Sequence, residues 1–155
     1  MEMAPGWSPD PVGIQRMKKG YWLAHRLYGS KAKVLYGNVY ALPEDLGKFD
    51  VAILASVLLH LENPYAGLRA ASKLADTLIV TDAIRSCYPG DGMMFRPAWP
   101  SPDFMFWWYI PLPQMVQMLK TLGYKVAEPV IVHPSGPIYG RIDLYALVAT
   151  RAAAA

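Results

Sequence analysis

His60, in the run Leu58-Leu59-His60-Leu61, has the side-chain type for general-base work. A free imidazole titrates near ~6.5, so it can take up or return a proton at neutral pH. No Asp lies close in sequence to orient it, and the competing reading is a hydrogen-bonded, half-buried histidine at the mouth of the next helix. Asp82 closes the apolar run Leu78-Ile79-Val80 in the order Thr81-Asp82-Ala83. It can face a substrate or cap a following turn. His25, His133 and Asp143 lack metal-site spacing, and no metal is assigned. Cys87 is the single cysteine, which excludes an intramolecular disulfide and a cysteine zinc cage. A lone thiol fits a reducing compartment.

The most unusual chemistry is aromatic. Ile84 to Tyr109 holds four prolines, two glycines and three tryptophans. A loop of that length without secondary structure of its own is usually functional or mobile. Phe95, Trp99, Phe104, Phe106, Trp107, Trp108 and Tyr109 form a group that can wall a planar or apolar substrate. The same composition suits a protein–protein surface or a lid lying on the core. Arg96 can pair with an anionic group, although a surface arginine needs no such partner. Arg96, Trp107, Trp108 and Tyr109 are the candidate substrate contacts.

These side chains need a scaffold, and the hydrophobic pattern supplies one. Ile14, Met17, Tyr21, Ala24 and Tyr28 recur at helical spacing after Asp10-Pro11, and Gly29 stops the run. Lys33-Val34-Leu35-Tyr36 reads as a short strand, broken by Gly37-Asn38. Phe49 to Leu54 is a continuous apolar strand apart from Asp50, a pattern expected for burial on both faces of a parallel sheet. Asn63-Pro64 starts a helix whose Leu68, Ala71 and Leu74 face a core, and Leu78-Ile79-Val80 is the next strand. Two strands joined by a helix are expected to lie parallel, which makes the class α/β. Pro113 to Leu122 reads as a helix with Met115, Met118 and Leu119 on one face and Gly123 as its stop. Lys125–Val132, interrupted by Pro129, and Asp143–Ala149 form a final antiparallel pair joined by a long hairpin.

The 155 residues suit one domain, here residues 1–151 with a featureless tail at 152–155. Hydrophobic residues make up 54% and charged residues 17%, which excludes a disordered chain. Fifteen basic against 12 acidic residues give +3, scattered without a Lys/Arg block, so no nucleic-acid surface is evident. The longest apolar stretch, Val51–Leu61, is too short to span a bilayer, and Met1–Asp10 is no secretory signal. A soluble cytoplasmic protein is the expectation.

Phe49-Asp50-Val51-Ala52-Ile53-Leu54 through Leu59-His60-Leu61-Glu62-Asn63-Pro64, followed by Thr77-Leu78-Ile79-Val80-Thr81-Asp82, resembles the fourth and fifth strands of class I S-adenosylmethionine-dependent methyltransferases. Gly37-Asn38-Val39-Tyr40-Ala41-Leu42-Pro43 resembles the segment after that family's third strand, Trp108 to Val126 the helix leading into its sixth strand and that strand, and Asp143–Arg151 its antiparallel seventh strand. Each motif is loose alone; their order and spacing carry the resemblance. It implies a Rossmann-like methyltransferase fold and S-adenosylmethionine as cofactor. Asn38, Val39 and Tyr40 are implied on the adenine side, and Ala55, Ser56 and Val57 at the end of the fourth strand. His60 is implied on the substrate side and is the candidate catalytic residue. A small-molecule acceptor is implied too. The competing readings are turn chemistry at Gly37-Asn38 and an ordinary strand–helix loop at Ala55–Val57.

Two family features have no copy here. The sequence lacks a glycine-rich turn after an apolar strand, and lacks a credible ribose-binding acid, with Glu2 the nearest relic. The fold is therefore expected to be truncated, without its first β-α-β unit, as a shortened chain or one that has lost its cofactor site. The strand at Lys33–Tyr36 would lose its neighbours. It would then pair with Val51–Leu54, pair with another chain, or leave the sheet, and a homodimer is expected. The alternative function is a non-enzymatic dimerising or ligand-binding module that uses the aromatic loop 84–109.

Overall fold

Phe, Val and Ile side chains suit a pleated strand, and Phe49–Ala55 forms β1. Its partner β2, Ala75–Ile84, is drawn from the second apolar run. The structure, a computed structural model, describes residues 11–84, 92–95, 107–136, 140–141 and 143–152. Residues through Tyr36 form one compact unit and those from Gly37 onward a second.

The first unit is built on helix α1, Pro11–Leu27. Pro11 opens it as expected, while Asp10, the expected cap, lies outside the described residues. Gly29, at φ 57°, ends it. The Gly29 N–H reaches the Arg26 carbonyl and the Ser30 N–H the His25 carbonyl, a pairing that needs a left-handed residue at that position. The expected strand at Lys33–Tyr36 is not formed. An isolated four-residue stretch has no ladder to satisfy its backbone. Local contacts hold this segment instead: His25 Nε2 donates to the Ala32 carbonyl (2.8 Å), and the Lys18 ammonium sits 4.6 Å from the Tyr36 ring centroid.

In the second unit β1 and β2 run parallel, with Val51 beside Thr77, Ile53 beside Ile79 and Ala55 beside Thr81. Helix α2, Pro64–Ser72, makes the connection. Two two-residue strands follow, β3 (Met94–Phe95) and β4 (Trp108–Tyr109), paired antiparallel. Helix α3, Leu112–Thr121, comes next; Gly123, at φ 83°, lets the chain turn directly into β5, Tyr124–Val126. Then come β6 (Val130–Val132), a small ladder of β7 (Ser135–Gly136) with β8 (Gly140–Arg141), and β9 (Asp143–Arg151). β9 lies antiparallel to β2 on one side and to β5 and β6 on the other. The main sheet has the order β1-β2-β9-β5, with β6 also beside β9. Val126 faces Ala149 but Val130 faces Ala146, so one extra residue is accommodated around Pro129, which has no N–H to give the ladder.

Alternation along the strands decides the core. Leu54, Leu78, Val80, Tyr145, Leu147 and Ala149 share one face and are buried with Leu68 of α2 and Met115 and Leu119 of α3. The other face carries Val51 (43% exposed), Ile53 (66%) and Val148 (43%). The expected burial of Phe49–Leu54 on both faces is thereby corrected. Both helices contribute to the same buried cluster, so only alternate residues of β1 are covered. Among the described residues β2 is the only strand bonded to β1, whose second edge is unpaired.

A polar clasp closes the far end of the sheet. Tyr124 Oη donates to the Ala75 carbonyl (2.6 Å). Arg151 Nη2 donates to Tyr124 Oη (2.9 Å), and Nε to Asp76 Oδ1 (2.7 Å). Burial raises the Tyr124 phenol above its usual range despite the neighbouring Arg151 charge.

Candidate functional site

Because β1 and β2 are parallel, Ala55 and the Thr81–Ile84 end of β2 emerge at the same edge of the sheet. Ligands of open α/β sheets sit beyond such C-terminal edges. Ser56 follows immediately with φ 48°, the non-glycine residue of positive φ among those described. A left-handed serine costs on the order of 1–2 kcal/mol. Its N–H donates to the Thr81 carbonyl (2.9 Å), so the ladder holds one residue past β1 before the chain turns. Val57 lies beyond it, and Leu58–His60 forms a 3₁₀ turn with both leucines buried and His60 exposed.

The start of α2 is fixed by its cap. Asn63 Oδ1 accepts from the Ala66 N–H (2.9 Å), and Pro64 occupies the first turn, where its missing N–H costs nothing. The Asn63 N–H in turn donates to Tyr40 Oη (2.9 Å). Tyr40 belongs to a turn closed by its own N–H on Asn38 Oδ1 (2.9 Å) and by Ala41 N–H on the Asn38 carbonyl (3.0 Å). Asn38 is exposed, and Val39 and Tyr40 are half-buried. One hydroxyl thus ties the Asn38–Tyr40 turn to the mouth of α2.

The aromatic segment leans on the neighbouring residue. Trp108 Nε1 donates to the Glu62 carbonyl (3.0 Å), and the Trp107 N–H to the Leu59 carbonyl (2.9 Å). The Phe95 ring stands 5.0 Å from that of Trp108. At the start of α2 lies an open cleft of about 590 Å³, lined among the described residues by Glu62, Asn63, Pro64, Tyr65, Met93 and Trp108.

Of the sequence candidates, Trp108 lines this cleft; Trp107 and Tyr109 are half-buried beside it in sequence. Ala55, Ser56 and Val57 stand at the end of β1, and His60 is not among the cleft-lining residues. Arg96, Trp99, Phe104, Phe106 and Glu2 lie outside the described residues. Asp82 is buried (4% exposed), and its Oδ1 accepts from the Ala83 N–H (2.7 Å); it lies inside β2, which runs on to Ile84, rather than at a turn that closes the strand. It lies opposite Tyr145, whose phenol is pushed far above its usual range, first by burial and then by the Asp82 carboxylate and Tyr109. His133 Nδ1 lies 2.7 Å from Asp143 Oδ1. Among the described residues no three His, Cys, Asp or Glu converge as a metal site, and no helix is long and apolar enough to cross a membrane. Sequence reasoning missed Glu62, Tyr65 and Met93. For Glu62 a signal existed: a residue directly ahead of an Asn-Pro cap sits at the mouth of the strand–helix connection.

This sheet, with its parallel β1–β2 pair, terminal antiparallel β9 and helices on one face, is the Rossmann-like fold of class I S-adenosylmethionine-dependent methyltransferases. Several solved structures share it. The N-terminal domain of EvdMO1 with SAH bound matches with a TM-score of 0.60 at 15% identity, over 86% of this chain and 60% of that one. Magnesium protoporphyrin IX methyltransferase (ChlM) from Synechocystis PCC 6803 with bound SAH matches with a TM-score of 0.55 at 22% identity, over 91% and 59%. The [4+2]-cyclase SpnF matches with a TM-score of 0.58 at 15% identity, over 83% and 60%. The chain therefore spans about 60% of the length of these structures. No family model and no curated protein matches the sequence.

Proposed function

We propose that the chain is a methyltransferase-like protein. In this reading it binds S-adenosylmethionine on the adenine side through Asn38–Tyr40 and Ala55–Val57, and takes a small-molecule acceptor in the Glu62–Trp108 cleft. The observation that carries the reading is the shared anchor. Tyr40 bonds to the N–H of Asn63 and Trp108 to the carbonyl of Glu62, so adjacent residues hold the two proposed binding segments in one frame. SAH or SAM is bound in the named structures of EvdMO1 and ChlM, which supports the choice of cofactor.

The residues present fit part of that cofactor. Asn38 Oδ1 is used by its own turn, which leaves the Nδ2 amide as the group to face a base edge. The half-buried Val39 and Tyr40 supply apolar surface beside it. No glycine-rich turn or ribose acid is encoded in the sequence, so the proposed contacts stop at the adenine side. When bound, the cofactor supplies an electrophilic methyl group. The protein's contribution is then to place the acceptor in line with it and to exclude water, which is positional chemistry. Histidine is not among the cleft-lining residues, and no proton is routed through His60.

Calorimetric and thermal-shift titration with S-adenosylmethionine tests the reading. Ligand at a hundredfold excess over Kd stabilises the fold by about 2.7 kcal/mol. A folded protein with no shift at millimolar ligand overturns it. A second reading, association of two copies, is supported by Phe49, Val51 and Ile53, exposed on a strand whose outer edge is unpaired among the described residues. Light scattering across a dilution series checks it, and a monomer throughout refutes it.

A further inference from the structure

The cleft has a charge and shape that narrow its ligand. We infer that the molecule it takes is an organic ammonium ion, held against the Trp108 and Tyr65 rings with Glu62 as its counter-charge. This rests on reading the cleft as the acceptor site. Of the described lining residues Glu62 and Tyr65 are ionisable, and among them there is no Lys, Arg or His. Among the described residues an anionic ligand would meet the acidic Glu62 and no compensating cation.

The helix start offers an anion little in return. Pro64 has no N–H, the Ala66 N–H is taken by Asn63 Oδ1, the Gly67 N–H by the Asn63 carbonyl, and the Asn63 N–H by Tyr40. The first turn of α2 has used most of the donors that would otherwise hold a carboxylate or phosphate.

The aromatic wall works in the opposite sense. A cation over an indole or phenol face gains from the ring quadrupole. The thioether of Met93 adds a soft, polarizable neighbour. Trp108 is also fixed before any ligand arrives. Its Nε1 is bonded to Glu62, its backbone is paired with Phe95, and the Phe95 ring stands against it at 53°. A ring already held in place loses little conformational freedom on binding. The volume, about 590 Å³, lies within the range of small-molecule sites.

Three isosteric probes separate charge from shape: benzylamine, benzyl alcohol and benzoate, each titrated into the ¹⁵N-labelled full chain without cofactor. The backbone amide resonances of Asn63, Tyr65 and Ala66, present in every variant, are the readout. Benzylamine is expected to bind tighter than the alcohol, with benzoate weakest. Glu62→Gln is expected to weaken benzylamine about threefold, the size of one exposed ion pair, and to leave benzyl alcohol unchanged. Trp108→Ala is expected to abolish binding of all three, and Trp108→Phe, which keeps a ring, to restore benzylamine. Equal or tighter binding of benzoate overturns the inference, as does benzylamine binding insensitive to Glu62→Gln. A protein that prefers benzylamine but ignores S-adenosylmethionine refutes the cofactor reading alone. One that binds S-adenosylmethionine yet treats the three probes alike refutes the ammonium assignment alone.

Discussion

The two faces of the main sheet are made from the same strands and have opposite fates. On one, Leu78, Val80, Leu147 and Ala149 are completely or almost completely buried under α2 and α3. On the other, Ile53 and Val148, cross-strand neighbours of the half-buried Ile79, remain exposed. Composition separates the faces only weakly: the open one carries Thr77, Thr81 and Thr150 but also Val51, Ile53, Ile79 and Val148, which are as apolar as the buried Leu78, Val80 and Leu147. The difference comes from where the connecting helices lie, and it locates the stabilising interactions on one side of a two-sided ribbon.

The largest test of that asymmetry is Leu78→Ala. It removes a fully buried side chain beneath both helices and is expected to cost 2–5 kcal/mol of unfolding free energy by urea denaturation, at the scale of core cavities. Next comes alkaline pH. In the unfolded chain Tyr145 ionises near ~10. The folded protein, where burial and Asp82 raise the phenol, holds that proton more tightly. Its contribution is complete below about pH 10 and is lost above it, at up to ~1.4 kcal/mol per pH unit. Tyr145→Phe is expected to flatten this slope, with tyrosinate absorbance as the check. Asn63→Ala removes the α2 cap and is expected to cost about 1 kcal/mol. The smallest effect belongs to the open face: Ile53→Thr is expected to change monomer stability by less than ~0.5 kcal/mol, and to lower any self-association seen by light scattering. A loss at Ile53 as large as that at Leu78 would erase the distinction between the faces.

Much of the fold was legible in the sequence because it is local. Asn63-Pro64 announced the start of α2, Gly123 the end of α3, and Met115, Met118 and Leu119 their shared face. The apolar runs around Ile53 and Ile79 gave a parallel pair joined by that helix. What the sequence misread was set by partners at a distance. Lys33–Tyr36 has strand-like composition but no ladder. Phe49–Leu54 carries the pattern of a strand buried twice and is covered once. The candidate site divides the same way. Trp108 stood out by type, whereas its union with Glu62 spans 46 residues and leaves no periodic trace. Tyr40 was singled out by the resemblance of its segment, and its bond to Asn63 was not foreseeable from spacing.

The most direct test of the central claim, that the C-terminal edge of β1 and β2 is a nucleoside-binding edge, is an NMR titration of the labelled full chain with S-adenosylhomocysteine. The account predicts amide shifts at Asn38–Tyr40, Ala55–Val57 and Asn63, with Ile53, Val148 and Thr150 on the open face unmoved. Shifts confined to the open face, or none at millimolar ligand, would contradict it.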